Sequence, residues 1–407
     1  MRVWLATYST KPRGGVVHTL GLAEALAARG HDVTVWTLGR GGDTTFFRPV
    51  DAAVRVEAVR FAPVDGEDVG ARIVRSIDVL GGALAEHLLA PGPPLPDVVH
   101  AQDCISANAA LAPVRAAGVP LVRTVHHLDA FTTPQLVACH DAAVREPDAL
   151  VCVSAAVAAE VRAGYGLEAA VIPGAVDAGR FAAAARRDDA AASASRRAWR
   201  SRLGRYVLAV GGVEPRKGSL DLLEAWALLR RHRLDLRDVA LVLAGGETLF
   251  DHRPYREAFD ARSAELAREL GAAPVVLGPV DDDALPSLVA AADAVAFPST
   301  KEGFGMAPLE ALAAGVPVVA RGLPVLREVL GEAALFAGGV PDLADALAAA
   351  LDGRAPSAGL GRAVAAGYGW ERAAAAHEAF YEGLVGDRSA MPGATVRPSR
   401  PDPASGS

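Results

Sequence analysis

Between Ser299 and Glu310 the chain reads Ser-Thr-Lys-Glu-Gly-Phe-Gly-Met-Ala-Pro-Leu-Glu, so that carboxylates at Glu302 and Glu310 flank the glycines Gly303 and Gly305. Glycine lets a loop backbone approach a ligand and turn its N–H groups outward. Pro308 suits the first turn of a helix, where its missing N–H is not needed. A glycine loop entering a helix N-terminus is a site for an anion. Two acids beside such a site imply a second kind of ligand, such as the hydroxyls of a sugar. A further loop, Gly211 to Gly218, sets Arg216 and Lys217 before a helix expected from about Ser219. Two cations at a helix N-terminus suit a diphosphate; the bland alternative is a solvated basic pair. Neither the Gly-x4-Gly-Lys-Ser/Thr nor the Gly-x-Gly-x-x-Gly spacing is present, which disfavours a Walker loop and a dinucleotide fingerprint.

These loops need strands to hold them. The apolar run Ala294–Phe297 reads as a buried parallel strand before the Glu302 loop, and Tyr206–Val210 as the strand before the Lys217 loop. Further strands are expected at 239–243, 274–277 and 316–320, with helices between them and at 343–351 and 370–384. An earlier series begins with a strand at 3–7, a loop over 8–17 containing Gly14-Gly15, a helix over 19–29 and a strand at 32–38. It continues with a helix near 68–89 and short apolar runs at 97–101, 121–125, 149–153 and 169–172, separated by helices near 105–116, 135–146 and 154–163. Strand, glycine loop, helix and strand in succession make the βαβ unit of a parallel sheet. The expected organisation is a first doubly wound domain over 1–180, a linker over 181–205 with a short helix near 197–202, and a second doubly wound domain over 206–369. A terminal helix over 370–385 and a disordered tail over 386–407 follow. Ligands of such sheets bind at the carboxyl edges of the strands, which puts function in the cleft between the domains.

Composition narrows the partners. A chain of 407 residues is too long for one core, and 51% hydrophobic residues suffice for two. A net charge of −7 disfavours a general nucleic-acid surface. Cys104, Cys139 and Cys152 have no metal-ligand spacing and cannot all pair, which points to a reducing compartment. No apolar run is long enough for a membrane span and the start lacks a signal-peptide core. The expectation is a cytoplasmic protein, with peripheral membrane contact left open.

Taken in order, the motifs resemble the family 4 retaining nucleotide-sugar glycosyltransferases. They are Gly14-Gly15; Arg29-Gly30-His31-Asp32-Val33; Thr124-Val125-His126; Val153-Ser154; Ile172-Pro173 to Val176-Asp177 with Arg180-Phe181; Glu214-Pro215-Arg216-Lys217-Gly218; Leu243-Ala244-Gly245; Phe297-Pro298-Ser299; and Glu302-x7-Glu310. The resemblance spans about residues 1–385 and implies an α/β GT-B fold of two facing Rossmann-like domains. It implies transfer of a sugar from a nucleotide-diphosphate donor, with retention and no protein nucleophile, to a hydroxyl acceptor. That acceptor would be a sugar, a lipid-linked sugar or a small metabolite. By resemblance Glu310 binds the ribose diol and Glu302 the donor sugar near its C3 hydroxyl. The amides of Gly303, Phe304 and Gly305 hold the diphosphate, and Arg216 and Lys217 neutralise the departing nucleotide. Gly15 lets diphosphate and acceptor pack on its backbone, and His126 meets the sugar near C6, with His127 the competing wall residue. No cofactor or catalytic metal is implied.

Three departures from the family pattern stand out. An arginine usual five places before Lys217 is replaced by Gly212, with Arg216 the substitute. Gly174-Ala175 replaces the usual Asn-Gly, and His126-His127 followed by Asp129 is unusual. Asp281-Asp282-Asp283 matches the Asp-x-Asp metal motif of the other glycosyltransferase architecture, but opens a helix expected over 284–291 and reads as first-turn acids. His100, at a strand end, is a candidate lining residue of the acceptor side. Two other readings remain: a GT-B nucleotide-sugar epimerase, and a binding protein of this fold without turnover.

Overall fold

The computed structural model describes residues 1–92, 94–129, 131, 133–246 and 252–390. The first lobe comprises β1 (Arg2–Ala6), α1 (Gly14–Ala28), β2 (Asp32–Arg40), β3 (Val54–Phe61), α2 (Val69–Leu88), β4 (Val98–Ala101), α3 (Cys104–Ala117), β5 (Leu121–Val125), α4 (Pro134–Arg145), β6 (Ala149–Cys152), α5 (Ala155–Tyr165) and β7 (Ala170–Val171). Two helices, α6 (Ala178–Ala185) and α7 (Ala190–Leu203), come next. The second lobe follows as β8 (Tyr206–Val210), α8 (Ser219–His232), β9 (Ala240–Ala244), α9 (Arg253–Leu270), β10 (Val275–Gly278), α10 (Leu285–Ala291), β11 (Ala294–Phe297), α11 (Met306–Ala313), β12 (Val318–Arg321), α12 (Pro324–Leu330), β13 (Leu335–Ala337), α13 (Val340–Leu351) and α14 (Ala358–Ala366). The chain then forms α15 (Trp370–Ala390).

All strand pairs are parallel. The first sheet runs β3-β2-β1-β4-β5-β6-β7 and the second β10-β9-β8-β11-β12-β13. The order reverses direction beside β1 in one sheet and beside β8 in the other, which opens a crevice at each carboxyl edge. Alternation along each strand fills a core on both faces. Val3 and Leu5 pack toward α1 and α15, whereas Trp4 and Ala6 pack with Trp36 toward α2 and α3. In the second sheet Val207, Leu241 and Val319 meet Trp226 of α8 and Leu347 of α13, and Leu208, Val295 and Phe297 meet Leu309 of α11.

Several local expectations change. The helix of the first unit starts at Gly14, so Gly14-Gly15 form its first turn instead of a loop. Its N-cap, Arg13, makes no side-chain cap, and without a capping residue the start leaves no mark in the sequence. Strands β3 and β13 were not anticipated. β3 alternates valines with charges, and β13 is only Leu335–Ala337. Residues 181–205, expected as a linker, are largely helical. α6 and α7 pack on α10, with Arg180 Nη2 2.7 Å from Asp282 Oδ2, the Trp199 indole N–H donating to Ser287 Oγ at 3.0 Å and Arg200 Nη1 2.6 Å from Asp293 Oδ2. The tail expected over 386–407 lies, from residue 391 onward, outside the described residues.

The last helix, α15, returns to the first lobe. Trp370 lies against Gly21 of α1, where a Cβ would come within 2.3 Å of the indole. Glu378 pairs with Arg29 and sits 3.1 Å from His31 Nε2. Beneath it four histidines cluster: His18 lies 5.0 Å from His126 and 6.4 Å from His377, and His100 lies 5.6 Å from His377. His100 is fully buried, hydrogen-bonded to Tyr381 Oη and Thr124 Oγ1 at 2.6 Å each, so it holds α15 to the sheet and does not line the cleft.

Burial, with the neighbouring His377, pushes His18 down to about 3, and burial pushes His377 down to about 4. The unfolded chain binds these protons near pH 6.5 and the folded chain does not. The stability they contribute is therefore present above pH 6.5 and lost as pH falls toward 4 and 3. Each unit of such a shift corresponds to about 1.4 kcal/mol. The melting temperature is expected to fall steeply between pH 6 and 4, and His377→Gln to flatten that fall in calorimetric scans.

Candidate active site

The two loops picked out by their residue types meet at the switch point of the second sheet. After β8 the chain makes a short 3-10 turn, Pro215–Lys217, and enters α8; after β11 it passes Pro298–Gly305 and enters α11. The loops are tied together: Thr300 N donates to Arg216 O at 2.8 Å, and the Arg321 side chain donates to Pro298 O at 2.9 Å while pairing with Asp221. Arg321 and Asp221 give no sign of this role in the sequence, because only the β12–α8 juxtaposition brings them to the loop.

Lys217 and Arg216 converge on Glu302. Lys217 Nζ is 2.9 Å from Glu302 Oε2, and Arg216 Nη1 is 3.3 Å from the same oxygen. Arg216 is held from behind by Glu214, 3.5 Å away and 5% exposed. Lys217 Nζ also lies 4.8 Å above the Phe297 ring. Burial opposes charge on Glu302, but Lys217 and Arg216 outweigh it and hold its pKa at about 2, so the carboxylate stays ionised. Gly212 has no room for the arginine usual in the family pattern, since a Cβ there would lie 2.3 Å from Gly246 O. Lys217 and Ser299 border a small cavity between the edges of β8 and β11, where the Ser299 hydroxyl is buried without a partner among the described residues.

Glu310, on the second turn of α11, sits apart from this cluster. Burial raises its pKa to about 7; Arg180 opposes the rise, and Asp282 and Asp177 add to it. Its carboxyl makes no hydrogen bond or ion pair among the described residues, unlike that of Glu302. The aspartate run 281–283 lies in the turn before α10 and not in its first turn, and Asp282 is taken by Arg180. No cluster of three His, Cys, Asp or Glu side chains with metal-binding geometry occurs among the described residues.

The first lobe supplies the opposite wall. A Cβ on Gly15 would lie 3.6 Å from His126 Cδ2, and one on Gly14 3.6 Å from Met306 Cε, so the N-terminus of α1 faces the N-terminus of α11. His126 is half-buried and hydrogen-bonded to Gln102 Oε1 at 3.2 Å; burial, then His18, hold it well below the usual histidine range. His127 Nε2 lies 2.9 Å from Asp129 Oδ2, and the charge of His127 acts on Glu302. The lobes approach closely at Gly303, where a Cβ would stand only 1.4 Å from His126 O. Phe304 is buried, its ring filling the space beside Gly174 and meeting Tyr368 edge-on at 5.3 Å. Glu328 of α12 accepts from Ala155 N and Ala156 N at 2.8 and 3.0 Å, capping α5 across the lobes. Gln102, Glu328 and Arg321 also stand here, and their sequence surroundings do not single them out.

The model of Glycosyltransferase Family 4 matches residues 12–180, and that of Glycosyl transferases group 1 matches residues 195–363. A D-inositol 3-phosphate glycosyltransferase of Actinosynnema mirum is 32% identical over 394 residues, covering 89% of this chain and 90% of the relative. A glycogen synthase of Mycobacterium tuberculosis is 30% identical over 354 residues, covering 81% and 80%. Among solved structures, Anabaena HepE in complex with UDP and glucose superposes with a TM-score of 0.71 at 20% identity, covering 93% of this chain and 99% of that one. The sucrose-phosphate synthase of Thermosynechococcus elongatus does so with a TM-score of 0.75 at 19% identity, covering 95% and 99%. With two facing parallel sheets, paired loops at the switch point and these matches at both lobes, the chain belongs to the group 1, family 4 glycosyltransferases of GT-B fold.

Proposed function

We propose that this glycosyltransferase moves a sugar, with retention, from a nucleoside diphosphate donor to a hydroxyl acceptor. The observation that carries the reading is the ionised Glu302 gripped by Lys217 and Arg216 at the mouth of two helix N-termini, facing Gly15 and His126. An anionic leaving group entering there finds two cations and the N-terminus of α11. Glu302 is free to accept hydrogen bonds from the donor sugar once the cations turn to the diphosphate. The neighbours solved with UDP and with UDP-glucose support a nucleotide-sugar donor. No side-chain nucleophile is invoked, since departure of the diphosphate is stabilised electrostatically. The reading needs no metal, and the acceptor lies on the first lobe.

No helix among the described residues is long and apolar enough to cross a membrane.

A panel of nucleoside diphosphates and their sugars in thermal-shift measurements tests the donor. Ligand at a hundredfold excess over its Kd adds about 2.7 kcal/mol of stability, and no stabilisation by any member would overturn the reading. Nucleoside diphosphate release that depends on acceptor separates the transferase from an epimerase, which yields sugar-nucleotide isomers, and from a binding protein, which yields neither.

Glu310 supplies a further prediction. Its carboxylate form accepts from both hydroxyls of a ribose diol. Glu310→Ala is expected to weaken nucleotide binding by about tenfold or more, the loss of a hydrogen bond to a charged group costing about 1.5–3 kcal/mol. With its pKa raised to about 7 by burial, binding to the carboxylate releases a proton below that pH. Affinity should therefore fall as pH drops from 7 to 5, and Glu310→Gln should remove the dependence in titration calorimetry.

A further inference from the structure

At the carboxyl edge of the first sheet lies a thiol pair that the transfer reaction does not use. Cys104 is the first residue of α3, directly after the N-cap Asp103, and Cys139 lies on the buried side of α4. The Asn108 side-chain amide donates to Cys104 O at 2.8 Å and to Cys139 O at 2.7 Å, and stands 3.5 Å from Cys139 Sγ. Two carbonyls sharing one nitrogen bring the backbones of α3 and α4 together, and Cys104 packs against the buried cluster that contains Cys139. Adjacent backbones of this kind permit disulfide geometry without moving either helix far. Cys104 is partly exposed and Cys139 is 4% exposed.

The surroundings favour a thiolate on Cys104. It sits at a helix N-terminus, and Cys139, then His140 and Arg123, draw its pKa well below the usual thiol range against the effect of burial. Arg123 of β5 is 5% exposed, and its Nε and Nη1 have no partner among the described residues. Its charge acts on Asp103 and on Cys104, Cys139 and Cys152. The Asp103 carboxylate opposes the thiolate, but it is occupied by Tyr8 N at 2.9 Å and Ser106 N at 2.8 Å. A buried guanidinium with two orphaned donors, whose charge reaches a partly exposed thiol, suits a negative sulfur.

We propose that Cys104 and Cys139 form a reversible peroxide-responsive pair, with Cys104 the attacked thiol and Cys139 the resolving one. The Cys104 thiolate attacks one oxygen of a hydroperoxide. The O–O bond breaks, the sulfur is oxidised to a sulfenic acid, and hydroxide or alkoxide leaves. The Cys139 sulfur then attacks the sulfenic sulfur, a disulfide forms, and water leaves with the thiol proton. Two electrons pass from the pair to the peroxide, and a small dithiol reverses the step by exchange. The bond would staple α3 to α4, the helix that follows the loop bearing His126 and His127, so oxidation registers at the acceptor wall.

The third thiol is an internal control. Cys152 is fully buried, and burial raises its pKa to about 12. The test uses the reduced full-length protein at pH 7 with one equivalent of hydrogen peroxide, followed by thiol counting and peptide mapping. The expected result is loss of two of the three thiols, a Cys104–Cys139 linked peptide, and recovery with dithiothreitol. Cys139→Ser should stop at a dimedone-reactive sulfenic acid on Cys104, and Cys104→Ser should leave Cys139 reduced. Arg123→Gln should slow the reaction at least tenfold. Should that variant misfold, the wild-type rate serves instead, because it should stay flat below pH 7 where free cysteine slows tenfold per unit. Reaction of Cys104 no faster than Cys152 or free cysteine, or oxidation without the cross-link to Cys139, overturns the proposal. None of these measurements needs a donor or an acceptor.

Discussion

Lys217→Ala is expected to lower the rate of sugar transfer by about 10²–10³, the effect of removing one preorganised charge partner of a developing oxyanion, with a smaller change in nucleoside diphosphate affinity. The reason lies in what the ammonium does before and during reaction. In the structure it is 2.9 Å from Glu302 Oε2 and helps hold that pKa at about 2. Under the proposed function it turns to the departing diphosphate, whose charge grows as the glycosidic bond breaks. An interaction stronger in the transition state than in the ground state raises kcat and leaves binding less affected. Arg216 remains 3.3 Å from Glu302 in the variant, so the carboxylate keeps a partner and the fold should survive. The check is kcat and KM for the donor alongside UDP titrations of both proteins. A raised KM with kcat unchanged would show that Lys217 contributes uniform binding, and no change in either would remove it from the site.

Gly303→Ala should be at least as damaging, by a steric route. A methyl at this position would stand 1.4 Å from His126 O, a backbone atom that cannot rotate away. The 301–303 loop must then withdraw from the 126–127 loop, which parts the two walls where they come close. Overpacking of this kind costs about 1–3 kcal/mol, here charged against closure of the cleft and not against either core. Transfer depends on positioning that tolerates little displacement, with about a hundredfold lost for a 1 Å error. The expected result is a loss of turnover of about 10² or more, while nucleoside diphosphate binding, which rests on the second lobe, changes less than about tenfold. Small-angle scattering should show a larger radius of gyration for the variant. Wild-type activity in Gly303→Ala would mean that the lobes react without this contact.

Residue type and order made much of this protein legible. Period-2 and continuous apolar runs located most strands, because a strand of a parallel sheet is covered on both faces and cannot hide its hydrophobicity. The Glu302 and Lys217 loops stood out because glycine, paired acids and paired cations after such strands have few structural uses. The family motifs then assembled both lobes. Missed elements had weak signals: β3 mixes charge into an edge strand, β13 has three residues, and α1 begins without a capping side chain.

What sequence could not settle was pairing between distant residues. Glu302 and Glu310 look alike as neighbours on one motif, yet one is drawn down to about 2 by Lys217 and Arg216, and the other is raised to about 7 by burial. His100 and His126 each end a strand, but α15 closes over the first and leaves the second beside Gly15. Gly212 is a glycine because Gly246 O occupies the space of a side chain, a fact written thirty-odd residues away. Local spacing determined which groups this enzyme brings to its cleft, since backbone geometry is read from neighbours. Their charge, exposure and partners were decided by tertiary packing, since desolvation and Coulomb forces depend on distance in space, not along the chain.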